Sequence, residues 1–407
     1  MNAHNFHTSL AVAWISVCLV ALSPVVPTRA QTGTWTPSSF PPTNNWTGLA
    51  SSWDGTSLFA ASYDDTDSNP AIIYSSTNTG AAWEATGSPA NNWFGVACST
   101  NGNNLAAVVF GGGIYTSTNA GSDWVQSTNA PFGVWYAVAS SWNGSNLVAV
   151  SAGLYRFIYT SPDAGQTWFS NNVPDSEYWD AVASSVDGQR LVAVSNSNTN
   201  GGAGALYTST NAGTNWTASK LSGINWTGVG SSADGQKLVA CGSSSALYVS
   251  PDGGANWNPV PGVSGYLTGA AVSADGSKMV VISNGGQIYT SADSGTNWAP
   301  SSAPSLPWQV VTMSGDGNVI AAAVPFDQIY TMRLNAQSPP TLTFVLSGGQ
   351  GLLSWPAPGS AGLILQHNTN PSTTNWQTVT TVPLLTNNQY QLTVPFTNSP
   401  DFFRLSQ

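Results

Sequence analysis

The chain has 407 residues but only 8 lysines and arginines against 18 acids, a formal charge of −10, with charged residues making up 6% of the whole. So sparse a negative field, with no basic stripe to neutralise phosphates, excludes nucleic acid as a partner. Three histidines, His4, His7 and His367, leave no room for histidine-based catalysis or a histidine-rich metal site.

Residues 1–30 read as a secretory signal peptide. An apolar run from Leu10 to Leu22 is followed by Thr28-Arg29-Ala30, with small residues placed for cleavage after Ala30. The run is too short to span a bilayer, so no membrane span is expected after cleavage. The expected location is secreted or extracytoplasmic, in the periplasm or at a cell surface.

A repeat begins next. Trp46, Trp93, Trp135, Trp179, Trp226 and Trp308 each stand eight residues before an Asp-Gly or Asn-Gly pair, and Leu267 keeps the same offset in one further unit. The pairs start at Asp54, Asn101, Asn143, Asp187, Asp234, Asp275 and Asp316, 41 to 47 residues apart. A period of this length is that of propeller blades. Within a unit, a short strand such as 135–140 turns at Asn143-Gly144 and returns as 147–151, because Asx-Gly tolerates the positive φ of a tight turn. A third strand carries Ile-Tyr-Thr-Ser or a close relative, and a fourth follows a second tryptophan. Seven such units close an all-β, seven-bladed propeller over residues 31–335. The seventh unit stops at Arg333 without a fourth strand, while Gly33-Thr34-Trp35 looks like one, so the N-terminal strand should complete the last blade. Cys98 and Cys241 fall in different blades and on different strands, which favours two small unlinked side chains over a disulfide.

The second tryptophan ends a motif. Ser161-Pro162-Asp163-Ala164-Gly165-Gln166-Thr167-Trp168, Ser250 to Trp257 and Ser291 to Trp298 resemble Asp-boxes, the mark of BNR or sialidase-like propellers. Photosystem II stability/assembly-factor and sortilin-like propellers share the resemblance. The aspartates are Asp163, Asp252 and Asp293; Asn78, Asn119 and Asn211 replace them in the other three boxes, which end at Trp83, Trp124 and Trp216. An amide oxygen also accepts backbone N–H bonds. The resemblance implies a structural role for all six boxes, with Trp168, Trp257, Trp298 and their counterparts buried. Family sialidases need an arginine triad, which Arg156, Arg190 and Arg333 cannot supply, and related xyloglucanases place paired acids between two propellers.

Loop lengths place a candidate site. The segment from the Asx-Gly pair to the third-strand tyrosine is longer in units 1, 3 and 4, and these insertions open on the face opposite the boxes. Unit 1 contributes Tyr63, Asp64, Asp65 and Asp67. Asp65, Asp67 and Asn69 match the start of a calcium loop, but Pro70 and Ser76 break the rest of that pattern, which favours a solvated acidic loop. No other cofactor or metal is implied. Unit 3 contributes Tyr155, Arg156 and Phe157, and its exit contributes Asp175, Glu177 and Tyr178. These aromatics, acids and one arginine suit a sugar or protein ligand; an ordinary polar loop surface is the alternative. After a linker at 336–340, residues 341–407 alternate in short apolar runs and resemble an immunoglobulin-like or fibronectin-like β-sandwich.

Three functions stay open. The favoured one is a non-catalytic monomer binding a polysaccharide or extracellular protein through the face opposite the boxes. A glycoside hydrolase would draw two carboxylates from Asp64, Asp65, Asp67, Asp175, Glu177 and Asp180. A surface module without a ligand is the third.

Overall fold

A computed structural model of the chain describes residues 33–39, 44–64, 71–152, 157–174, 177–198, 201–221, 223–334, 342–347, 350–356, 364–369, 373, 375–386, 389–395 and 402–406. The expected signal peptide and the 336–340 linker lie outside them. Every regular element among the described residues is a strand. In the first unit Asn45–Ser51, Leu58–Tyr63, Ile73–Ser76 and Glu84–Ala85 pair in chain order as an antiparallel meander. The same meander recurs, and units 2 and 3 join into one eight-stranded sheet where Val134 pairs with Phe110. The last unit takes its outer strand from the other end of the chain. Gly33–Pro37 pairs with Ile329–Leu334, Trp35 opposite Met332.

Packing explains why these segments are strands. The second strand of each unit, such as Leu147–Ser151, is buried along its whole length, as expected of a strand covered on both faces. Each hydrophobic cluster combines side chains of two consecutive units. Ala50, Phe59 and Ile73 of unit 1 meet Trp93, Val96 and Leu105 of unit 2, and Ala321 and Ile329 of unit 7 meet Trp46 and Leu58 of unit 1. First strands also lie side by side around a closed ring, Asn45–Ser51 touching both Trp93–Cys98 and Val310–Met313. The first-strand tryptophans Trp46, Trp93, Trp135, Trp179, Trp226 and Trp308 are buried, each edge-on to the third-strand tyrosine of its own unit, with centroids 5.1 to 5.7 Å apart. They are packing residues.

The Asx-Gly connections differ from the expected tight turn. Only the glycine takes positive φ, as at Gly55 (69°), and the Asx side chain acts as an acceptor instead. Asp54 Oδ1 receives Ser52 Oγ (2.8 Å) and Thr56 N (3.0 Å), and Ser57 N donates to Ser52 Oγ (3.0 Å). The connection is therefore a longer loop held by its own serine and Asx. Backbone bonds then run from loop to loop. Trp53 N donates to Thr100 O, Thr100 N to Trp142 O, Trp142 N to Val186 O, Val186 N to Ala233 O, Ala233 N to Ala274 O and Ala274 N to Gly315 O, and Asp316 N returns to Trp53 O. Seven hydrogen bonds thus make a closed circle around this end of the ring.

The turns between third and fourth strands lie on the same face. In each, a serine hydroxyl donates to the Asx Oδ1, and that oxygen accepts an N–H four residues on. Asp163 does so with Ser161 and Thr167, Asn78 with Ser76 and Ala82. Asn119, Asn211, Asp252 and Asp293 behave alike. The residue after the Asx is forced to positive φ even where it is not glycine, as at Ala164 (57°). Its N–H thereby reaches the Asx-Gly loop of the same unit, Ala164 N bonding Ser145 O at 2.8 Å. Of the tryptophans ending these turns, Trp83 and Trp168 are buried, whereas Trp124, Trp216, Trp257 and Trp298 are only partly covered, a correction to the expected full burial.

Beyond residue 341, Thr343–Ser347, Gln350–Pro356, Gln389–Pro395 and Leu384–Thr386 form one sheet. Gln377–Thr378, Ile364–Asn368 and Phe402–Ser406 form a second. Leu353, Trp355 and Leu392 from the first meet Leu365 from the second in a common core.

Candidate functional site

A β-bulge recurs at one place in the first strands. Pairing with the second strand slips between Trp46 and Gly48, Trp93 and Gly95, Trp135 and Ala137, Trp179 and Ala181, Trp226 and Gly228, and Leu267 and Gly269. A bulged residue leaves the ladder and its side chain is re-aimed. Here the bulged residues are Thr47, Phe94, Tyr136, Asp180, Thr227 and Thr268, and all six, with Gln309 from unit 7, line a cavity of about 310 Å³ at the centre of the ring. Small residues follow because the strands crowd there: a Cβ on Gly228 would stand 2.8 Å from the Gly269 Cα.

The bulged positions divide into two kinds. Thr47, Thr227 and Thr268 donate their hydroxyls to the main chain of the next unit, to Trp93 O (2.8 Å), Leu267 O (2.7 Å) and Trp308 O (2.8 Å). Phe94, Tyr136 and Asp180, in consecutive units 2, 3 and 4, replace that link with two rings and an acid. Phe94 sits in a cluster of partly exposed rings, 5.0 Å from Tyr136, 5.4 Å from Phe110 and 6.2 Å from Tyr63 by centroids. Among the described residues lining this mouth, Asp180 is the one charged group, and no described residue donates a hydrogen bond to its carboxylate. Burial pushes Asp180 up to about 7, and burial together with the nearby Asp180 charge raises the Tyr136 hydroxyl.

A second cavity lies at the other end of the channel. Leu49, Val96, Val138, Val182, Val229, Ala270 and Val311 belong both to the first cavity and to this second one of about 330 Å³, and form an aliphatic waist between them. The second mouth is ringed by the Asx-Gly loops, with Trp53 and Trp142 exposed at its edge. Acids at that end shift the opposite way. At Asp54, Asp163, Asp234, Asp275 and Asp293 burial pulls upward, but hydrogen bonds outweigh it and hold each carboxyl below its ordinary value. At Asp187 the Ser185 hydroxyl leads, and at Asp252 the Asn256 N–H. Burial pushes the free thiols of Cys98 and Cys241 up to about 12, which disfavours the reactive thiolate at neutral pH.

Of the residues singled out from sequence, Tyr63 joins the ring cluster at the Asp180 mouth. Asp64 is partly exposed at the end of the second strand of unit 1. Asp65, Asp67, Asn69, Tyr155, Arg156 and Asp175 lie outside the described residues. Phe157 packs edge-on against Tyr159 at 6.3 Å and joins the cores on either side of unit 3. Glu177 is buried and accepts the Ser195 hydroxyl, so its carboxylate is committed to the fold. Tyr178 is partly exposed beside it. Phe94, Phe110 and Tyr136 were not singled out. The available signal was the residue after each first-strand tryptophan, threonine in some units and an aromatic or acid in others. Among the described residues no three His, Cys, Asp or Glu side chains converge on a metal position.

No protein-family model matches the chain, and no curated protein matches it. Solved structures do. YCF48 from Cyanidioschyzon merolae is 14% identical with a TM-score of 0.55, over 74% of this chain and 98% of its own. A structure of YCF48 bound to D1 peptide is 14% identical with a TM-score of 0.56, over 74% and 96%. The GH74 xyloglucanase from Xanthomonas campestris is 15% identical with a TM-score of 0.51, over 80% of this chain and 60% of its own. The likeness, together with the ring of antiparallel meanders, shows the fold: the chain is an all-β protein built on a β-propeller.

Proposed function

We propose that this is a secreted, non-catalytic recognition module that binds an extracellular polysaccharide or protein through the mouth holding Asp180. The observation that carries the reading is the replacement of the sealing threonine by Phe94, Tyr136 and Asp180 in three consecutive units. A scaffold whose other bulges bridge neighbouring units has here given up that link for side chains that face a cavity. In this reading residues 1–30 are the signal peptide, 31–335 an Asp-box propeller of seven blades, 336–340 a linker and 341–407 an immunoglobulin-like or fibronectin-like sandwich. The third-strand turns act as Asp-boxes with a purely structural task, which their internal hydrogen bonds support. A peptide-bound YCF48 among the structural neighbours supports a protein ligand, and the xyloglucanase supports a polysaccharide.

A second reading rests on Asp180 alone. A carboxyl pushed up to about 7 is what a glycosidic general acid needs. It also needs a second carboxylate, and Glu177 is held by Ser195. One experiment separates the two. The chain from residue 31 is applied to a glycan array and a panel of extracellular peptides, with reducing-sugar release assayed in parallel. Binding that Phe94→Ala abolishes, without release, is the expected outcome; release lost in Asp180→Asn would establish hydrolysis instead.

A further inference from the structure

Resting on that reading of the mouth, we propose that its unsealed half receives a positively charged side chain, a lysine or arginine of a partner protein, between Asp180 and the rings of Phe94 and Tyr136. The first argument is the carboxylate. Buried polar groups are almost always paired, and an isolated charge in a poorly solvated site is costly. Asp180 is partly exposed to the cavity and has no described donor, so a cation entering the cavity can take the place of water on its carboxylate.

The rings supply the second argument. An aromatic face attracts a cation, more strongly where water is excluded. Tyr136 and then Phe94 follow Asp180 on one side around the channel, on consecutive first strands that touch pairwise, and Tyr136 feels the Asp180 charge. Phe110 and Tyr63 brace Phe94 from behind, which fixes its orientation without sealing it. A neutral sugar would stack on these rings and donate hydroxyls to the carboxylate but leave its charge uncompensated, and an anion would be repelled. The lining adds a third argument. Seven aliphatic side chains below also line this cavity of about 310 Å³, so the stem of a lysine or arginine has apolar surface to lie against. With a formal charge of −10 and few basic residues to compete, the protein also attracts a basic segment from a distance.

The test uses the chain from residue 31 and three blocked tripeptides, Ac-Gly-Lys-Gly-NH2, Ac-Gly-Arg-Gly-NH2 and Ac-Gly-Gln-Gly-NH2, with cellohexaose as a neutral sugar, at physiological salt by calorimetry or ligand-detected NMR. The lysine or arginine peptide should bind and the glutamine peptide should bind at least about 10-fold more weakly, the factor expected for one desolvated cation contact. Asp180→Asn should cost the charged peptide about 10-fold and Phe94→Ala several-fold. Glu84→Gln, an exposed acid on the outer strand of unit 1, controls for general attraction and should change affinity less than about 2-fold. Affinity for the lysine peptide should rise as pH passes through about 7 and Asp180 ionises. Tyr136 and Cys241, the other titrating groups beside it, are both raised far above that range, and Glu177 on its own strand is tied to Ser195. Equal binding of the glutamine peptide, or indifference to Asp180→Asn, overturns the inference. So does failure of both charged peptides to bind. If cellohexaose binds in a manner lost in Phe94→Ala, the recognition reading stands while the cationic occupant falls; if Phe94→Ala changes no binding on the array either, both fall.

Discussion

The two ends of the channel are built from the same first strands, yet they solve different problems. At the end ringed by the Asx-Gly loops, every unit does the same thing: serine and Asx close a loop, and a backbone N–H passes to the next loop until the circle shuts at Asp316 and Trp53. At the other end the units diverge, three threonines bridging to their neighbours and Phe94, Tyr136 and Asp180 facing the cavity. Asp54 and Asp163 at the first end are hydrogen-bonded and held low, whereas Asp180 at the second has no described donor and is pushed up to about 7. Uniformity across repeats therefore marks the end that holds the ring together, and departure from it marks the end to which the proposed function assigns a ligand.

The largest effect should come from removing ring closure while leaving both mouths intact. Trp35 is buried 6.0 Å from Trp308 between the last two units, and Trp35→Ala should cost about 3–5 kcal/mol, read as a fall in the denaturant midpoint. The acid of the divergent mouth comes next, with the opposite sign. Its carboxyl titrates higher folded than unfolded, so it favours the folded state below the unfolded pKa, and that contribution is lost as pH rises through about 7. Asp180→Asn should therefore stabilise the protein at pH 8 by on the order of 2 kcal/mol, allowing for water in the channel, and by almost nothing near pH 4. A loss of stability at pH 8 would break the comparison.

Smaller effects sharpen it. Asp163→Ala removes an acceptor for Ser161, Thr167 and its N–H, and should cost about 1 kcal/mol at neutral pH. Because Asp163 is held low, that cost is present above the unfolded pKa and fades as pH falls through the folded one. Asp163→Asn should cost less, since Asn78, Asn119 and Asn211 make the same bonds through an amide oxygen. Trp142→Ala at the loop-ringed mouth should change stability by about 0.5 kcal/mol or less, its ring being exposed and its backbone bonds retained. Thermal melts of the three variants at pH 8 and pH 4 check all of these.

Most of the fold was legible because its markers are local. A tryptophan eight residues before an Asx-Gly pair sets the phase, and the fragment around Trp35 identifies the strand that closes the last unit. The site was harder because a bulge is a property of two strands. Nothing in Trp179-Asp180-Ala181 alone says that the ladder slips there; that follows from how 179–184 pairs with 191–195. Phe110 was hidden for a related reason, lying at the end of a second strand that runs on to Gly112 beyond the repeat's usual length. Tyr63 was singled out because it opens a long loop, whereas its contacts are with Phe94 and Phe110, which loop lengths do not reveal. Glu177 was misjudged as a ligand-facing acid because its partner, Ser195, is contributed by the neighbouring strand.

The outer strand at Gly33–Pro37 also sets an order of events. It leaves the ribosome first, yet its partner Ile329–Leu334 comes some 300 residues later, the longest-range pairing in the ring. Units 1 to 6 can meet their neighbours as they emerge, but the circle cannot shut until the chain has passed residue 334. Until then one flank of unit 7 and one of unit 1 are uncovered. A chain interrupted before that point would present two unpaired edges to other copies, so the same clasp that stabilises the finished ring makes its completion the step most exposed to misassembly.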